Sequence, residues 1–126
     1  MEVKIVENVK NIECDVLIIN KFEDKPTACD FVNEFLPEEF NGKKGETFVI
    51  HTHNQKPAKN ILVIGFGKEE EISNNVIREN TAKAIKKCGE LKAKKVGICY
   101  STDFNYGGPA VLGAKISDYR FDSSFC

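Results

Sequence analysis

The chain has 126 residues, 41% of them hydrophobic, with 18 Lys and Arg against 19 Asp and Glu for a formal net charge of −1. That length fits one domain with a core of its own, and the balanced charge leaves no net positive field to gather nucleic acid or an anionic membrane. No run approaches the roughly 20 apolar residues of a membrane span, and no basic stretch leads into a long apolar one at the N-terminus. A soluble, cytoplasmic protein is therefore expected.

The first element is "EVKIV", residues 2 to 6, where Val3 and Ile5 alternate with Glu2 and Lys4. Such a pattern predicts a half-buried strand near a sheet edge. "CDVLIIN", residues 14 to 20, has four consecutive aliphatic side chains and predicts a strand covered on both faces, which requires helices above and below the sheet. Between Pro26 and Pro37, Phe31, Val32, Phe35 and Leu36 recur at helical spacing. They predict a helix of two or three turns, capped by Asp30 or Thr27, with the aromatics as core rather than as a docking surface.

"TFVIHTH", residues 47 to 53, predicts a strand, and the Pro57-containing connector makes it an antiparallel neighbour of "ILVIGFG". The two histidines, His51 and His53, fall on one face. Two imidazoles can begin a metal site, but no further ligand stands beside them in sequence, so exposed strand positions are expected.

Ser73 is positioned as the N-cap of the clearest helix, with Ile72 before it and Ile77 four residues after, as in a hydrophobic staple. Ile77, Thr81, Ala84, Ile85 and Cys88 then form the apolar stripe, leaving Arg78, Glu79, Lys83, Lys86 and Lys87 for solvent. Gly89 ends or weakens the last turn. Lys83, Lys86, Lys87, Lys92, Lys94 and Lys95 read as the solvated face and exit of this helix. "KVGICY", residues 95 to 100, supplies a further short buried strand, and the strand–helix–strand order predicts a parallel crossover.

The run "KNILVIGFGK", residues 59 to 68, asks whether its glycines cradle a phosphate. A dinucleotide loop needs G-x-G-x-x-G opening a helix. Here Gly65, Phe66, Gly67 and Lys68 are followed by Glu69, Glu70 and Glu71. The third glycine is absent and three carboxylates would repel the ligand. The ATP-type loop also fails, because no Ser or Thr follows Lys68 and the required glycine spacing is missing. Gly65, Gly67 and Lys68 are thus expected to form a structural turn with close packing at the strand end.

Beyond Tyr100, a polar loop through Asn105 leads to Gly107, Gly108 and Pro109, and Leu112, Ile116 and Tyr119 share a helical stripe. The chain ends on Phe125 and Cys126, an aromatic ending that suggests docking or a connection to a further segment. Cys14, Cys29, Cys88, Cys99 and Cys126 are odd in number and lack zinc spacing. They read as thiols in a reducing compartment. No H-E-x-x-H, no glycine-elbow serine and no ordered Ser, His and carboxylate set is present, so no catalytic, cofactor-binding or metal-binding residue is assigned.

The order of "DVLIIN", "FNGKKGETFVIHTH", "KNILVIGFGK", a helix entered from "EEIS", "KKVGICY" and "AVLGAKISDYRFD" resembles the N-terminal domain of the leucyl, or cytosol, aminopeptidase family over nearly the whole chain. The best marks are Gly42, Lys43 and Gly45, then Val63, Ile64, Gly65, Gly67 and Lys68, then Leu112, Gly113, Tyr119, Arg120, Phe121 and Asp122. Two departures stand out. Ala114 to Asp118 add about one helical turn to the family spacing, and "YGGPA" lacks the acidic residue usual before that helix.

The resemblance implies a three-layer, macro-like α/β domain over residues 1–126, with a mixed, mainly parallel sheet flanked by helices. In full-length relatives a C-terminal domain, absent here, holds two divalent metals (Zn or Mn) and removes N-terminal residues from peptides by metal-activated water. None of its metal-binding or catalytic residues maps onto this chain, which alone should be inactive. The resemblance also implies a cytoplasmic hexamer in which this domain shapes assembly or access. Some relatives bind DNA through it, a role the near-neutral charge does not support. Two alternatives stay open: a free-standing macro-like module holding ADP-ribose, and a protein-interaction module using Tyr119, Phe121 and Phe125.

Overall fold

The computed structural model describes residues 2–5, 14–52 and 58–101. Five strands form one sheet: β1 (Glu2–Ile5), β2 (Cys14–Phe22), β3 (Thr47–His51), β4 (Ala58–Gly67) and β5 (Lys95–Ile98), in the spatial order β1-β5-β2-β4-β3. β2 pairs parallel with both β4 and β5, β1 pairs parallel with β5, and β3 alone runs antiparallel, against β4. The sheet is therefore mixed and mainly parallel, as the fold class required. β1 lies at an edge, and β3 and β4 are antiparallel neighbours.

The aliphatic run of β2 explains the layering. Val16 and Ile18 join Leu62, Ile64, Ile77, Ile85 and Ile98 in a core on one face. Leu17 and Ile19 join Val32, Ile61 and Val63 in a core on the other. Each such side chain contributes about 1.5–3 kcal/mol when fully buried, and a strand with no polar face can satisfy both sides only between two covering layers.

The longer covering helix, α2 (Asn74–Glu90), buries Val76, Ile77, Thr81, Ala84, Ile85 and Cys88 against the first core. Ile72, just before the cap, packs on the same cluster. β4 and β5 lie on opposite sides of β2, so the β4–α2–β5 crossover passes over the central strand and lays α2 across its face.

The second covering helix, α1 (Asp30–Phe35), is shorter than its sequence pattern implied. Neither residue expected to cap it does so in the ordinary way. Cys29 occupies the cap position and contributes no side-chain bond, while Asp30 is already helical. Instead the Asn33 carboxamide reaches back to Thr27, accepting from its backbone N–H at 2.8 Å and donating to its carbonyl at 3.0 Å. The Thr27 hydroxyl accepts from the Cys29 N–H at 3.2 Å. Of the four apolar residues Val32 is buried, Phe31 and Leu36 pack at the margin of the core, and Phe35 is 52% exposed.

Candidate functional site

Gly65 and Gly67 lie inside β4. The expected reversal comes after Gly67, in a single 3-10 turn over Glu69–Glu71. What the glycines permit is a close approach by the segment before β3. Gly65 N–H donates to Glu46 at 2.7 Å, Gly45 N–H donates to Gly65 at 3.1 Å, and Gly67 N–H donates to Gly42 at 2.8 Å. The antiparallel pairing thereby continues past the end of β3. A Cβ on Gly65 would stand 2.7 Å from the Gly42 carbonyl oxygen and closer still to that of Lys43. Gly67 has φ +81°, a left-handed conformation suited to glycine.

This geometry answers the phosphate question. The backbone donors at Gly65 and Gly67 are occupied by carbonyls of the 42–46 segment, and α2 does not begin until Asn74. No helix N-terminus therefore follows the glycines directly, as phosphate cradling requires. The adjoining loop also contains its own anion. One carboxylate oxygen of Glu46 accepts from the N–H groups of Asn41, at 3.2 Å, and Lys43, at 2.9 Å. Lys68 is exposed beyond the strand end.

Ser73 directly precedes α2, and its hydroxyl accepts from the Val76 N–H at 3.2 Å. His51 is exposed, with its ring Nδ1 against the Asn60 carboxamide oxygen. His53 lies outside the described residues, as do Tyr119, Phe121 and Phe125. Among the described residues, no group of three or more His, Cys, Asp or Glu side chains is placed to hold a metal. The described part of the chain does not fit the dinuclear centre that the sequence resemblance assigns to a separate domain.

The best-formed concavity is a cleft of about 420 Å³ at the carboxyl ends of β2, β4 and β5. Its walls are the Lys25–Ala28 loop and the Tyr100–Ser101 segment, with Phe22 and Asn20 between them and Glu69 at the rim. Crevices beyond the carboxyl ends of parallel strands are where open α/β sheets bind ligands. The Asn20 carboxamide accepts from Ser101 N–H at 2.6 Å and donates to the Ser101 carbonyl at 3.1 Å. Asn33 does the same for Thr27 on the facing wall. Each wall is thus held by an asparagine that imitates a strand partner.

Lys25 and Glu69 close one side through a 2.7 Å ion pair. Under the floor, Phe66 stacks edge-on with Tyr100 at 4.8 Å between ring centroids, and the Tyr100 and Thr81 hydroxyls lie 2.7 Å apart. Sequence reading missed both asparagines. Asn20 ends an apolar run, the one local hint, but its partner is 81 residues away.

The described thiols are not poised as nucleophiles. Burial pushes the Cys88 thiol up to about 12, with Cys14 adding to the effect. Burial likewise raises the thiols of Cys14 and Cys99.

Comparison with known proteins places this geometry in a family. The family model described as "Cytosol aminopeptidase family, N-terminal domain" matches residues 37–124. A probable cytosol aminopeptidase of Alkaliphilus metalliredigens is 29% identical over an alignment spanning 97% of this chain and 28% of its own length. One from Clostridium perfringens is 33% identical over 94% of this chain and 25% of its own length. The chain thus spans roughly a quarter of these relatives. Among solved structures, the bottromycin maturation enzyme BotP superposes with a TM-score of 0.63 at 16% identity, covering 86% of this chain and 24% of that one, a likeness of fold alone. Five strands in a mixed sheet, helices on both faces and the matched segment from Pro37 onward lead to one conclusion: this chain belongs to the cytosol aminopeptidase family, in which it corresponds to the N-terminal domain.

Proposed function

We propose that this chain is the non-catalytic N-terminal domain of a metal-dependent aminopeptidase and contributes to assembly or access rather than to peptide cleavage. The observation that carries the reading is the asymmetry of coverage: nearly all of this chain aligns with 28% of a relative described as an aminopeptidase. Hydrolysis then belongs to the part of the parent that this chain does not match. There, two divalent ions, Zn or Mn, would supply activated water for release of N-terminal residues. The parent would be a cytoplasmic homo-hexamer.

The test combines mass with activity. The protein recovered from its native cells with an antibody against this domain should be several times heavier than 14.1 kDa and should contain peptides beyond Cys126. That species should release leucine from a leucine anilide with Mn or Zn and lose activity on chelation, whereas residues 1–126 alone should show no turnover. A native species ending at Cys126 would overturn the reading.

The cleft at the sheet's carboxyl edge favours a second reading, a module for an ADP-ribose-type ligand. Calorimetric titration of the chain with ADP-ribose tests it, and the absence of both heat and chemical-shift change would remove it.

A further inference from the structure

Two half-buried thiols meet where the cleft walls are anchored. Along β5, Val96 and Ile98 face the α2 core, so strand alternation turns Cys99, the next residue, toward the α1 face. There it packs against the cluster containing Leu17, Ile19 and Val32. Cys29, the cap residue of α1, packs against that same cluster. The residues beside them are the facing walls of the cleft: Thr27 and Ala28 lead into Cys29, and Tyr100 and Ser101 follow Cys99. Both are free thiols, and neither is sealed in the core as Cys88 is.

We propose that Cys29 and Cys99 form an oxidisable dithiol, a modification site that closes as an intramolecular disulfide and locks the start of α1 onto the end of β5. The oxidant is a small-molecule disulfide of the glutathione class. The thiolate of Cys29 attacks one of its sulfurs, giving a mixed disulfide and releasing one thiolate. Cys99, deprotonated in turn, attacks the Cys29 sulfur, forming the Cys29–Cys99 bond and releasing the second thiolate. The protons lost by the two cysteines end on the two released thiols, so two protein thiols are oxidised as one small disulfide is reduced. Burial and the neighbouring Cys29 hold the Cys99 thiol above its ordinary range, which suits Cys99 to the second, intramolecular attack rather than the first. The bond requires the two Cα atoms to come within about 7 Å.

The experiment incubates the full chain with oxidised glutathione, quenches free thiols with an alkylating agent, and maps peptides without reduction. The expected result is a mass loss of about 2 Da per molecule relative to the fully reduced chain, a linked peptide pair containing Cys29 and Cys99, and reversal by dithiothreitol. Cys29→Ser and Cys99→Ser should each abolish the linked pair, and Cys14→Ser should leave it. Glutathione adducts without the internal bond would overturn the proposal, as would a principal linkage between Cys14 and Cys88 or through Cys126. The wild-type peptide map decides the matter even if a serine variant folds poorly.

Discussion

A methyl group on Gly65 would point into the Gly42–Gly45 segment, where carbonyl oxygens of the backbone, not the ends of flexible side chains, occupy the space. The loop cannot withdraw without breaking the Gly65–Glu46 and Gly67–Gly42 hydrogen bonds that hold it. Gly65→Ala is therefore expected to cost at least the 1–3 kcal/mol or so typical of overpacking, read as a lower urea midpoint. Gly45→Ala provides the contrast. Its φ is +81°, but the nearest atom to a new Cβ is the Lys83 Nζ at 3.0 Å, the mobile end of a long side chain. The left-handed backbone alone then sets its cost, about 1–2 kcal/mol. Equal losses at the two positions would mean that the close approach at Gly65 is not what requires glycine there.

Ser73 gives α2 its start, satisfying one of the donors that a helix leaves open at its N-terminus. Ser73→Ala is expected to lower stability by about 1 kcal/mol in urea unfolding, with the slope of the transition unchanged. This helix was readable in sequence because its determinants are local: a cap, a flanking isoleucine and a stripe at steps of three and four residues. The central strand was readable for a similar reason, since four aliphatic residues in succession leave no face for water. α1 was harder to read. Its entry depends on Asn33 folding back onto Thr27, so a cap residue with no capping side chain suffices. β4 runs on to Gly67 because distant Gly42 and Glu46 supply its pairing partners, and the cleft wall at Ser101 depends on Asn20. Such bonds bridge some 20 to 81 residues, and their partners have no signal at local spacing.

Across the whole molecule, Asp15 joins two distant parts of the chain at the amino ends of the parallel strands. One of its carboxylate oxygens accepts from the backbone N–H groups of Lys94, at 2.7 Å, and Lys95, at 3.0 Å, fixing the entry of β5 beside β2. Lys59 lies 3.8 Å from the other oxygen, but its side chain is 70% exposed, and such surface pairs contribute little. The two backbone donors, Lys94 first and then Lys95, favour the charged carboxylate and hold its pKa below the ordinary 3.8. Because the folded value lies below the unfolded one, the stabilisation is complete above the unfolded pKa and is lost as pH falls through the folded pKa. Asp15→Asn keeps an acceptor oxygen and removes only the charge. Urea midpoints measured from pH 6 down to pH 2 should therefore show wild type the more stable at pH 6, with the gap closing below about pH 3.8. A gap that stays constant over the whole range would assign the role of Asp15 to the shape of its hydrogen bonds rather than to its charge.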